Sequence, residues 1–522
     1  MHSATRPLIC ALVIVGFTCF GQPAGQPVPE KKSTAELEAK LMAQFKAFAI
    51  RKRNYAKRVA AEKKVKPPEL VWKFFDSAIA GNYAEAQKQF RPLALMSGQY
   101  DAPPPLLGEA FWAKARPGIE KLFEVDLLAR WRESIARRLQ LNKEAFNVVW
   151  VLVNEVQGAM KALDSWHADY LQIYTENIVR SIPRNAIYFG GTDSGRYAIT
   201  LGSKSHEKAD PFFTITQNAL ADGSYLQYLR ELYGNKIYIS TEEDRGRAFS
   251  NYYSEAKAKG GQSQDIPAIM DINGRLAKVI FNKNPDHDFY LEESFALDWM
   301  KPHMVPYGLL FKLERKPLKE LLPEHIAQSR KDWQKYMALF VGDFVTTETT
   351  VSELCEWIQA VYSKNDLGKF KGDLLYLDGK KQVLEKPAMQ KGPPFSEQKS
   401  FSKMRSDQAG LFRWRSLNTQ DAQLKSLYAQ EAEFAYAQSV ALGGINPNGA
   451  LNFSVHLSAA KRFKDAKLLV RTFVGIQKNV SEFYMRQMLG KILKSEMDHW
   501  REEKEYDKAI SAIEELKELL PE

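Results

Sequence analysis

The sequence predicts a mainly helical protein in which helix-hairpin repeats flank a small α/β domain. Three observations point there. Apolar residues recur at helical spacing over Thr34 to Lys64, with Leu37, Leu41, Phe45 and Phe48 on one face. An aromatic residue followed three positions later by alanine returns at Tyr83/Ala86, Phe463/Ala466 and Tyr506/Ala509. Between these parts, short β-branched and aromatic runs alternate with helical stretches. The 522 residues suffice for roughly two to four domains, and a hydrophobic content of 45% suffices for real cores.

In chain order, Arg6 precedes the apolar run Leu8 to Phe20, and Gly21 opens a Gly/Pro/Gln stretch ending at Pro29. This is the pattern of an export signal over residues 1–21, with cleavage near Gly21 as its simplest outcome. The run is short of the roughly 20 residues that a membrane span needs. Lipid attachment at Cys19 is the alternative that Gly16, Phe17 and Thr18 fit poorly, and an uncleaved anchor is another. Of three cysteines, Cys10 and Cys19 lie in that segment, so a processed chain keeps Cys355 alone and forms no internal disulfide. The expectation is an exported, periplasmic or envelope-associated protein.

Residues 22–66 read as a linker and a basic amphipathic helix. Nine Lys or Arg and one acid, Glu62, lie between Lys46 and Lys66, and this stretch holds most of the net charge of +10. Such a helix can lie on an anionic membrane surface. Its narrow apolar face suits packing on its own domain better. With the rest of the chain nearly balanced, a nucleic-acid-binding surface is not indicated.

Residues 67–178 read as a helical region with one repeat hairpin. Gly81-Asn82-Tyr83-Ala84-Glu85-Ala86, followed by Phe90, matches the second half of a tetratricopeptide repeat, where an alanine lets neighbouring helices approach closely. In residues 414–522, Ala432 and Ala466 are 34 positions apart, the length of that repeat. Phe463 precedes Ala466 as Tyr83 precedes Ala86, and Tyr506/Ala509 follow with Pro521 beyond them. The interval from Ala466 to Ala509 is longer, 43 positions, as if an insertion broke the register. One repeat cannot bury its own face, so these should stack as a short tetratricopeptide-like solenoid with a groove for a protein partner.

Residues 179–345 read as an α/β domain, Rossmann-like in a two-layer or three-layer form. Asn185–Gly191 is a strand entering a glycine turn; Pro211–Tyr233 reads as helix, Lys236–Ser240 as strand, and Thr241 to about Lys259 as helix. Asp288–Leu291 and Leu309–Leu313 read as further strands. Residues 346–413 form a helical and irregular connection: Val351–Tyr362 is helical with Cys355 as a small buried hydrophobe, and 365–412 is irregular.

The run Ser181-Ile182-Pro183-Arg184-Asn185-Ala186-Ile187-Tyr188-Phe189-Gly190-Gly191-Thr192-Asp193 resembles the start of a soluble extracytoplasmic region in a family of multi-spanning bacterial membrane proteins. Those proteins look like integral-membrane glycosyltransferases that use lipid-linked sugars. Asp288-Phe289-Tyr290-Leu291-Glu292-Glu293 and Tyr307-Gly308-Leu309-Leu310 resemble a later strand pair of the same region. The resemblance covers about 180–320 and the C-terminal repeats. It implies an extracytoplasmic setting and a connection to envelope glycans, with a membrane protein as a candidate partner. The multi-spanning part that would carry sugar transfer has no counterpart among these residues, so transferase activity is not implied.

Gly190, Gly191, Thr192, Asp193, Ser194, Gly195 and Arg196 have the spacing of a phosphate-binding loop after a strand, but Arg196 stands where that motif needs Lys, and Tyr197 cannot hold magnesium. The loop could bind an anion through backbone N–H groups and Arg196. Cap residues alone also account for its composition. Asp286-His287-Asp288 superficially matches a diphosphate-metal site, yet it follows Asn284-Pro285 as a turn would. Glu292 and Glu293 point to opposite faces of a strand, while Trp299 and Tyr307 could offer sugar-stacking platforms or simply pack. No histidine pair has zinc-ligand spacing and no G-x-S-x-G elbow occurs, so no catalytic residue, metal or cofactor is assigned. The expectation is a non-enzymatic envelope scaffold that holds a protein partner on its repeats. The alternative is an accessory or remote enzyme of envelope glycosylation that binds a phosphorylated sugar or lipid-linked glycan in the α/β domain.

Overall fold

The computed structural model describes residues 34–97, 143–191, 194–258, 267–292, 298–363, 396–443, 446–476 and 482–519. The export-signal segment, Thr192 and Asp193, Glu293 and Pro521 lie outside the described residues. The fold is mostly helical with one small mixed sheet.

Helix α1 (Thr34–Glu62) buries Leu37, Leu41, Phe45, Phe48 and Ala49, the predicted apolar stripe, against α2 (Glu69–Ile79), α4 (Lys143–Ser165) and α5 (Ala168–Ser181). Between α2 and α4 lies α3 (Tyr83–Ser97). The basic helix therefore spends its apolar face on its own molecule. Several of its cations are paired, Arg51 with Glu207 at 3.6 Å and Arg58 with Glu62 at 3.0 Å. Lys52 is buried outright. Its ammonium meets Glu155 of α4, Tyr228 Oη at 2.6 Å and His206 Nδ1 at 3.2 Å. Burial pulls the Lys52 ammonium below its usual range despite Glu155. Burial alone would raise the Glu155 carboxyl, but Lys52 and His206 hold it at about 2. This network fastens α1 to the α/β domain.

The sheet runs in the order β2-β1-β3-β5-β4. Strand β1 (Ile187–Gly190) is parallel to β2 (Phe213–Thr216) and to β3 (Phe289–Glu292), while β5 (Leu310–Leu313) is antiparallel to β3 and to β4 (Met304–Tyr307). After β1 come a π-turn (Ser194–Ala198) and the short α6 (Ile199–Gly202) and α7 (Ser205–Lys208). Between β2 and β3 lie α8 (Gly223–Tyr233), α9 (Glu242–Ala258) and α10 (Pro267–Lys283). Period-2 alternation splits the core across the sheet. Phe189, Ile215, Leu291 and Phe311 join Leu226 and Leu276 on one face. Tyr188, Tyr290 and Leu310 join Tyr174, Trp333 and Phe401 on the other.

Three sequence expectations need correction. Pro211–Tyr233 is not one helix: Phe213–Thr216 enters the sheet and α8 starts at Gly223, where the Asp222 carboxylate accepts from Ser224 N at 2.8 Å. Lys236–Ser240 buries Ile237 and Ile239 but is not a strand, because the Asn284 side chain takes the place of a neighbouring strand. Tyr238 N donates to Asn284 Oδ1 at 2.7 Å, and Asn284 Nδ2 donates to Tyr238 O at 3.0 Å. Strand β4 forms the sheet edge, where Pro306 breaks the strand pattern in the sequence. Within 365–412, residues from 396 onward are helical rather than irregular.

After the sheet come α11 (Pro323–Phe340) and α12 (Val351–Ile358). Three helical hairpins follow: α13 (Ser396–Asn418) with α14 (Ala422–Leu442), α15 (Pro447–Ala459) with α16 (Phe463–Ile476), and α17 (Glu482–Glu502) with α18 (Tyr506–Leu519). They pack in succession, and α13 locks the stack to the sheet: Gln408 Nε2 donates to Gly308 O at 2.9 Å and to Leu310 O at 3.2 Å. Cys355 in α12 is buried, and burial pushes its thiol up to about 11.

Candidate functional site

Two places carry the predicted site residues. The first is the carboxyl end of β1 and β3. The chain leaves β1 for β2 on one side and returns to β3 on the other, the reversal beside which open α/β sheets place their ligand crevice. Gly190 closes β1, Gly191 follows, and Ser194, Gly195 and Arg196 open the π-turn. An internal carboxylate already occupies the loop. Glu292, the last residue of β3 and fully buried, accepts from Gly191 N at 3.2 Å and from Tyr174 Oη at 3.1 Å. A Cβ on Gly195 would come within 1.4 Å of Glu292 Oε2, so only glycine lets that carboxylate lie flat on the turn. Tyr188 Oη donates to Gly195 O at 2.7 Å from below.

Asp407 of α13 stands near Glu292. Burial, with the Glu292 charge adding to it, pushes the Asp407 carboxyl up to about 8 against the pull of Lys403. Its Oδ2 is buried with no hydrogen-bond partner among the described residues. The Arg196 guanidinium lies over the Tyr197 ring at 4.3 Å. A phosphate on this loop would meet the Glu292 carboxylate where the Gly191 amide points, and like charges at such range repel. The arrangement suits a loop that is satisfied from within.

The second place is the set of aromatic–alanine turns, one in the N-terminal α2–α3 hairpin and two in the C-terminal hairpin stack, which share one geometry. Gly81, Lys461 and Lys504 take positive φ of 77°, 61° and 62°. Across each turn one long hydrogen bond closes the preceding helix: Asn82 N to Ser77 O at 2.9 Å, Arg462 N to Leu457 O at 2.9 Å, and Glu505 N to Trp500 O at 2.8 Å. Tyr83, Phe463 and Tyr506 then begin the next helix. Ala86, Ala466 and Ala509, each buried, donate to Asn82 O, Arg462 O and Glu505 O at 3.0, 3.1 and 3.1 Å. The aromatic–alanine pairs are therefore structurally equivalent. Ala432 is not part of that set. It is buried in the middle of α14, so its 34-residue spacing from Ala466 marks no common position, and the 43-residue spacing does.

A cavity of about 470 Å³ opens between the α15–α16 turn and α17. Lys461, Lys491 and Lys494 line it with Asp498, and Phe463 and His499 form part of its wall. Lys461 leans on Glu503 at 3.5 Å and Asp498 is paired with Arg501 at 3.2 Å.

No family model, curated protein or solved structure matches this chain.

The remaining candidates fall to packing. His287 Nδ1 sits 2.6 Å from Asn185 O, which makes Asp286-His287-Asp288 a turn beside β3. The Trp299 indole donates to Gly274 O at 2.9 Å and packs on Phe281, so its face is not free for a sugar. Tyr307 donates to Ser181 O at 3.0 Å and borders a second cavity, of about 720 Å³, with Gln172, Glu176, Asn177, Arg180 and Lys335. Sequence reasoning missed the approach of Glu292 and Asp407, residues far apart in the chain. It also missed the lysines of the groove, whose only sequence signal is helical spacing of Lys491 and Lys494 on α17.

Proposed function

We propose that this protein is an exported scaffold of the cell envelope that holds a protein partner on tetratricopeptide-like helical repeats. The observation that carries the reading is the recurrence of one aromatic–alanine turn in the α2–α3, α15–α16 and α17–α18 hairpins, of which the last two stack on each other. Stacked helical pairs of this kind present extended grooves to partners. The groove between α15–α16 and α17 offers Lys491 and Lys494, which favours a partner segment carrying acidic residues. The envelope setting rests on the signal-like N-terminus and on the likeness to extracytoplasmic regions of glycosyltransferase-like membrane proteins. The alternative, a phosphorylated-sugar site at Gly190–Arg196, is disfavoured by the Glu292 carboxylate.

Paired charge reversal distinguishes these readings. Lys491→Glu with Lys494→Glu should reduce partner capture at least tenfold, while Arg196→Ala leaves it unchanged. Loss of binding in Arg196→Ala with the groove variant intact would refute the scaffold reading.

A further inference from the structure

The first residue of each repeated second helix is aromatic, and two of the three are covered. Tyr83 meets Phe45 edge-on at 5.5 Å, and its hydroxyl lies 3.0 Å from Met42 Sδ. Phe463 is 3% exposed, against His499 at 5.7 Å and Trp500 at 6.4 Å, at the end of α17. Tyr506 is 60% exposed, and Ile510, one turn on, is 52% exposed. With Ile513 they form an i, i+4, i+7 stripe along α18.

The equivalent stripe on α16 is Phe463, Lys467 and Val470, and α17 covers it running antiparallel. Phe463 meets Trp500 there, and Lys467 pairs with Glu496 at 2.9 Å. Val470 shares a core cluster with Ile492 of α17, and its neighbour Leu493 is buried as well. This interface supplies a template for whatever covers α18. The position of Lys467 is taken by Ile510, so the residue facing it should be apolar where α17 carries Glu496.

We propose that Tyr506, Ile510 and Ile513 dock an amphipathic helix of a partner protein, antiparallel to α18, with an aromatic residue near its C-terminal end and an apolar residue one turn before it. The inference rests on the scaffold reading and names a second contact, on the face of the last hairpin rather than in the lysine groove. Helix addition of this kind reads anchors at helical spacing.

The probe is a labelled peptide of residues 482–502 carrying Glu496→Leu, titrated into the full chain by fluorescence anisotropy. Saturable binding is expected, weakened at least tenfold by Ile510→Asp and by Tyr506→Asp. Both side chains are exposed, so both variants keep the fold, as circular dichroism would verify. The peptide that retains Glu496 should bind several-fold more weakly. Equal binding to wild type and Ile510→Asp, or no saturable binding, overturns the proposal. A concentration-dependent dimer of the chain alone that Ile510→Asp abolishes would assign the stripe to a second copy and likewise overturn it. If the peptide fails while the lysine-groove variant still loses its captured partner, this inference falls and the scaffold reading stands.

Discussion

At the scale of single residues, the strongest chemistry lies in carboxyl groups whose titration the fold shifts. Asp407 has a folded pKa of about 8, above its ordinary value of 3.8. From roughly pH 4 to pH 8 the unfolded chain releases this proton while the folded chain keeps it. The stabilisation is thus complete in acid and is lost as pH rises towards 8. Asp407→Asn removes the titration in the same volume. It should raise the unfolding free energy at pH 8 by about 2 kcal/mol or more relative to wild type. Urea unfolding at pH 5 and pH 8 checks this, and a variant that loses stability between those values as wild type does would contradict it. Glu155 acts in the opposite sense. Held at about 2, its contribution is present above the usual carboxylate range and fades as pH falls towards 2. None of this was legible in sequence. A glycine turn after a strand could be read from composition, but the carboxylate lying on it comes from 101 residues away.

At the scale of elements, local chemistry predicted what local chemistry controls. β1, β3 and β5 were read from their buried aromatic and branched residues, and α1 from its apolar stripe. β2 was lost inside a presumed helix, and Lys236–Ser240 was credited to a sheet that Asn284 replaces. In both cases a tertiary partner decided the outcome. The repeated turns permit a sharper statement. Lys504 holds a left-handed conformation that costs an L-residue about 1 kcal/mol and glycine almost nothing, as Gly81 shows at the equivalent turn. Lys504→Gly should therefore stabilise the chain by about 0.5–1 kcal/mol in thermal or urea unfolding. A neutral or destabilising result would mean that the turn is not the strained position its φ indicates.

At the scale of the whole molecule, α13 connects two halves of different character. Through Gln408 it fastens the hairpin stack to the β4–β5 turn, so the sheet serves as a base from which α15 to α18 project. The switch point of the sheet is filled by its own Glu292, whereas the stack carries the lysine-lined cavity and an exposed apolar stripe. Among the described residues, the lysine-lined cavity and the exposed residues of that stripe, Tyr506 and Ile510, lie together at the C-terminal end. The most direct measurement is affinity capture of the tagged protein from native envelopes after treatment with a lysine-reactive cross-linker, read by mass spectrometry. The account predicts one dominant partner whose cross-links cluster at Lys461, Lys491 and Lys494, and whose yield, together with the cross-links at the retained Lys461, falls when Lys491 and Lys494 are reversed to Glu. Cross-links that cluster instead on the lysines of α1, or a partner whose yield the reversal leaves unchanged, would contradict it.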